Sequence, residues 1–304
     1  MLLPKDIVEE RDKPRYPLMR VTTLGEFTVA HALATTGERP RYRLISNSEL
    51  GSRKAALLML KILICSPHRR STKTEIIKLL WPTRASEHAN HALDTAASTL
   101  RRHILALPTR DSLLQTQRLN GETYFMLAGQ PWLWVDADAL VNLASTALRH
   151  ERQQVDPLPY LEAAHALIKG EFLEDDLHCS WTQLRRQTIE GAKRRILYHL
   201  VAIYTANDQQ RRAEELLFTF LQHHPEDEDA LCHLMHLLVE QGRRQEALTI
   251  YNYSTQILQE LEKEPAYYTR ELAHQLQNNC KVREKSATYR TTPRHSTQTL
   301  IAVA

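Results

Sequence analysis

The 304 residues predict an α+β half followed by an all-α half. Three observations carry this reading. Strand-like segments, three helical patterns and a hairpin succeed one another before residue 128; the chain reads as helical from Pro131 onward; and a 34-residue spacing recurs in its last third. Charge divides in the same way. Residues 1–127 carry 20 Lys and Arg against 12 Asp and Glu, residues 128–280 carry 14 against 23, and residues 281–304 carry 5 against 1, for a net charge of +3. A basic first half suits a polyanion, and an acidic second half suits a different partner.

Residues 1–18 are charged and proline-containing and read as a flexible arm. They lack the continuous apolar segment of a signal peptide, and they leave no room for a receiver domain before Met19. "MRVTTLGEFTVA", Met19 to Ala30, has the composition of a strand pair bent at Gly25, and "RYRLI", Arg41 to Ile45, reads as a further strand. Ser52–Ser66 is apolar nearly throughout and predicts a core helix; its run Ala55–Cys65 contains Lys61 and is about half the length needed to cross a bilayer. Thr72–Trp81 predicts a second helix, opened by a Thr72/Glu75 capping box and stopped by Pro82.

The third helix, from about Ser86 to Leu107, contains "NHALDTAASTLRRHI". Ala89, Leu93, Ala96, Ala97, Leu100 and Ile104 fall on one face, and His91, Asp94, Thr95, Ser98, Arg101 and Arg102 collect opposite them. A solvated scaffold helix has the same pattern, so its setting decides. That setting is the hairpin of Asp111–Leu127, whose Asn120-Gly121 suits a turn with two positive φ angles. Strands, three helices and a hairpin form a winged helix-turn-helix over residues 19–128. In that layout the third helix enters the major groove and the wing touches an adjacent groove or the backbone. Arg101 and Arg102 then face guanine or phosphate, while Lys73, in the first turn of the second helix, and Arg69 and Arg70, in the loop before it, stand within reach of phosphates.

Residues 131–280 read as helices bounded near Pro157, Pro225 and Pro265. "DQQRRAEELLFTFLQHHP" and "GRRQEALTIYNYSTQILQELEKEP" both contain R-R-x-E-x-L, and Ala213 and Ala247 stand 34 residues apart. Small residues at that period let paired helices approach closely, as in tetratricopeptide-like repeats. "EDED", Glu226–Asp229, suits the positive end of a helix after Pro225. The tail, 281–304, is polar and reads as disordered.

The chemistry of a cofactor or active site is missing. No Walker A, G-x-G-x-x-G, H-E-x-x-H or G-x-S-x-G pattern occurs, so neither an enzyme nor a cofactor is expected. Cys65, Cys179, Cys232 and Cys280 form no C-x-x-C pair and read as reduced packing thiols. Cys232, His233 and His236 have no second ligand pair, so no metal is expected.

Eight segments in order resemble those of the Streptomyces-antibiotic-regulatory-protein type of regulator, which joins an OmpR-like winged helix to a bacterial transcriptional activator domain. In the first half they are "LGEFTV", "RKAALLMLKIL", "EIIKLLWP" and "ALDTAASTLRRHI". In the second they are "IKGEFLEDD", "SWTQLRR", "HPEDEDALCHLMHLLVEQGRRQEALTIY" and "LEKEPAYYTRELAHQL". The resemblance implies binding of double-stranded promoter DNA, often at direct repeats, and activation in the cytoplasm with contacts to RNA polymerase or a second copy through the helical domain. It points to His91, Thr95, Ser98, Arg101 and Arg102 on the helix and to Arg118 and Asn120 on the wing. The acidic Asp94, and Thr99 where many relatives carry arginine, support a second reading, a repeat-based adaptor whose winged helix does not read DNA.

Overall fold

The computed structural model of the protein describes residues 16–33, 40–83, 85–106 and 112–278, with the main chain alone at Asn47. Most of the expected arm and all of the tail, 281–304, lie outside these residues. The chain divides into two compact units, residues 1–203 and 204–304. No helix among the described residues is long and apolar enough to cross a membrane.

The first unit opens with β1 (Met19–Thr22), β2 (Thr28–Leu33) and β3 (Arg41–Leu44), paired antiparallel in succession. A short α1 (Asn47–Gly51) follows, held by a capping box in which Ser46 and Glu49 serve each other's amides. Then comes α2 (Lys54–Cys65), the centre of the core: Ala56, Met59, Leu60, Ile62, Leu63 and Ile64 are each at most 2% exposed. Its apolar faces are met by α3 (Lys73–Leu80) and α4 (Ser86–Thr99). The six apolar residues expected to face inward from the third helix are all buried.

Two short strands correct the sequence reading. The segment before α3 was expected to be a loop; a 3-10 turn, Pro67–Arg69, leads instead into β4 (Arg70–Thr72). This strand joins β5 (Leu114–Leu119) and β6 (Glu122–Leu127) in a sheet of order β4-β6-β5. The helical reading from Pro131 fails at its start, because Leu133–Val135 form β7, parallel to β1 in the register Met19↔Leu133. Leu133 and Val135 are fully buried with Trp134 on the opposite face, the alternation of a strand.

From β7 the chain enters α5 (Asp136–Arg152), α6 (Leu158–His165), a 3-10 turn at Glu174–Asp176 and α7 (Ser180–Ala206). Three carboxylates here fasten back onto the first 130 residues. Asp136, 3% exposed, accepts from the amides of Thr23 (2.8 Å) and Leu24 (3.0 Å) and from the Thr23 hydroxyl (2.6 Å). Asp138 lies between Arg69 and Arg185 and bonds to both. Asp176 accepts from Lys61, in the middle of α2, at 2.5 Å, with both residues buried. Beside them, Leu24 bridges to Phe172, and the Gly25 amide donates to Glu171 O at 2.9 Å. The backbones come so close that a Cβ on Gly170 would lie 2.8 Å from the Gly25 Cα.

The second unit contains α8 (Gln210–His223), α9 (Glu228–Glu240), α10 (Arg244–Glu260) and α11 (Tyr267–Gln277), each packed on the next. Ala213 and Ala247 are fully buried, as close helix pairing requires. Arg243 of the second R-R-x-E-x-L motif donates to Glu214 of the first and to its own Glu246, each at 2.6 Å. The acidic run opens α9: Asp227 caps the Ala230 amide (3.1 Å), and Glu228 accepts from the Ala266 amide before α11 (2.7 Å).

Candidate nucleic-acid interface

The surface begins at the α3 N-terminus. The Thr72 hydroxyl accepts from the Glu75 amide (3.1 Å), and the Glu75 carboxylate accepts from the Thr72 amide and the Ser71 hydroxyl (2.9 Å each). These bonds, the Thr72 amide foremost, hold the Glu75 carboxyl below its ordinary range. The box fixes the start of α3, which packs on α4.

On α4 the outer face is open. His91, Asp94, Thr95, Ser98, Thr99, Arg102 and His103 line one shallow groove. His91, Thr95 and Arg102 are exposed and Ser98 is half-buried. The Thr95 hydroxyl donates to His91 O one turn back (2.9 Å). Thr99 and His103 were not among the expected contacts, although they follow Thr95 at successive spacings of four that were visible in the sequence.

Arg101 does not share this groove. After Thr99 the helix widens into a π-turn, Leu100–Ile104, closed by the Leu105 amide on Leu100 O at 2.7 Å. Arg101 turns toward the hairpin, donating from Nε to Leu114 O at 3.2 Å and from its terminus to the Thr116 hydroxyl. Its guanidinium lies 6.0 Å from the centre of the Phe125 ring, and burial lowers its pKa. Arg101 positions the hairpin against α4.

The hairpin tip has the predicted turn. Asn120 (φ 51°) and Gly121 (φ 82°) join strands whose last pair is Leu119↔Glu122, and Arg118 and Asn120 are exposed. At its base the half-buried Arg70 stacks on Tyr124, 3.8 Å from guanidinium to ring centre. Lys73 pairs with Asp94 at 2.9 Å, which supplies the acidic residue of α4 with a partner. Arg69 must be withdrawn from the expected phosphate contacts. It is 8% exposed, bonded to Asp138 and donating to Ala128 O and Leu133 O at 2.7 Å each, so it is an internal clasp.

The described residues thus hold a three-helix winged domain, followed along the chain by packed helices. Residues 135–277 match the family model of the bacterial transcriptional activator domain. A winged helix ahead of that domain is an arrangement similar to that of regulators of the Streptomyces-antibiotic-regulatory-protein type. The fold is similar to that of Mycobacterium tuberculosis EmbR, solved in complex with a low-affinity phosphopeptide. The TM-score is 0.60 at 14% identity, over 88% of this chain and 66% of that one. The chain thus spans slightly under two thirds of that structure's length. No curated protein matches it in sequence.

Proposed function

We propose that the chain is a non-enzymatic, sequence-specific DNA-binding activator of transcription, acting in the cytoplasm at the nucleoid. One observation supports this above the rest: His91, Thr95, Ser98 and Arg102 line one open groove on the outer face of α4. An α-helix has the width to enter the DNA major groove, where an arginine can pair with guanine O6/N7 and hydroxyls can meet phosphate or a thymine methyl. Arg118 and Asn120 reach the backbone from the hairpin tip. The activator domain contacts RNA polymerase or a second copy of the chain, which suits promoter sites arranged as direct repeats.

The adaptor reading draws on the Lys73–Asp94 pair and on the engagement of Arg101 with the hairpin, which leave Arg102 as the arginine of the α4 groove. Pull-down of sheared bacterial genomic DNA with wild type and Arg102→Ala, at two salt concentrations, separates the two. A motif enriched by wild type and lost in the variant supports DNA reading. Absence of any enriched motif with the wild-type protein favours the adaptor.

A further inference from the structure

We propose a second phosphate-binding flank on the far side of α4, made by Arg53 and Lys54 at the start of α2 and opposite the flank formed by the hairpin. This inference rests on the DNA-reading role of α4. A helix seated in the major groove is bordered by two phosphate strands, the groove being about 12 Å wide, so cations on one side alone leave the second strand unopposed. The hairpin lies on the side of α4 to which Arg101 turns. On the other side, a groove runs from α4 to the first turn of α2, lined by Arg53, Lys54, Ala92, Ala96 and Trp81 among others.

Four observations fit this groove to a phosphodiester strand. It is continuous with the reading face, because His91, Thr95, Thr99 and His103 line both. Its lining contains two cations and no carboxylate. Alanines at 55, 56, 92 and 96 leave it open to close approach of a backbone. Finally, no side chain caps the N-terminus of α2, whose positive end adds to the field of Lys54, an exposed cation, and Arg53, which donates from Nη1 to Glu49 O at 3.0 Å and keeps its other donors.

The test uses the full chain and a duplex bearing the motif that wild type enriches from genomic DNA. Each neutralised phosphate contributes about −0.9 to the slope of log K against log salt. Arg53→Gln/Lys54→Gln is therefore expected to flatten that slope by about 1.8, with the motif unchanged. Its hydroxyl-radical footprint loses protection on one strand, and Arg118→Gln loses it on the other. Arg53→Lys/Lys54→Arg, which keeps both charges, retains the wild-type slope; loss of binding in this swap as well as in the neutral variant overturns the electrostatic assignment. A wild-type slope and footprint in the neutral variant, with Arg102→Ala still abolishing the motif, overturns the flank while leaving the reading helix in place and makes an acidic protein segment the occupant to seek. Failure of wild type to enrich any motif overturns both.

Discussion

Arg101 and Arg102 are neighbours in the chain with opposite surroundings. A helical wheel places both on the outer face, yet Arg102 lines the open groove while Arg101 spans 13 and 15 residues to Leu114 and Thr116. No local pattern contains that contact, because the π-turn and the returning strand create it together. Arg102→Ala is expected to weaken DNA binding and leave the denaturation midpoint unchanged. Arg101→Ala is expected to cost about 1 kcal/mol of stability through the lost bonds to the hairpin, measured by urea titration. Asp94→Asn releases Lys73 and removes a negative charge from the groove. Its expected outcome is tighter binding to random-sequence duplex with a stability change below about 1 kcal/mol, as for an exposed pair. The outward placement of His91, Thr95 and Ser98 on α4 was legible from helical period alone. Arg69 was not, since its fate depends on Asp138, 69 residues away.

Among the elements, legibility follows length and local chemistry. The S/T-x-x-E signal at Thr72 and the Asn-Gly turn at 120–121 specify their own geometry within four residues, and both appear as predicted. β4 and β7, three residues each, have too few alternations to register as strands and exist because β6 and β1 offer free edges. The Thr72/Glu75 box also carries a pH signature. Glu75 has a folded pKa below its unfolded value, so its contribution is complete above the ordinary carboxylate range and is lost as pH falls through the lowered folded value. The melting difference between wild type and Glu75→Gln should therefore be largest near neutrality and shrink on acidification. Thr72→Ala is expected to cost about 1 kcal/mol at neutral pH.

For the whole molecule, the change in charge near residue 130 was legible, but the clasp across it was not. Asp136, Asp138 and Asp176 find their partners 113, 69 and 115 residues away. These bonds make the winged helix and α5–α7 parts of one compact unit. Asp138→Ala strands two buried or half-buried arginines, for an expected loss of about 3–5 kcal/mol by chemical denaturation. A fragment ending at residue 130 leaves Arg69 and Lys61 without their carboxylates and uncovers Leu24. It is expected to lack the cooperative melt shown by a fragment that runs through residue 203, as read by circular dichroism.

Gly25 and Gly170 meet backbone to backbone although 144 residues lie between them in sequence, one ahead of α2–α4 and one within the span of the activator family. A selection for promoter-blind alleles would therefore return substitutions at codon 170 alongside those in α4. Sorted by sequence position, such an allele would be filed as an activation defect. Sorted by its neighbour in space, it is a lesion of the winged-helix half.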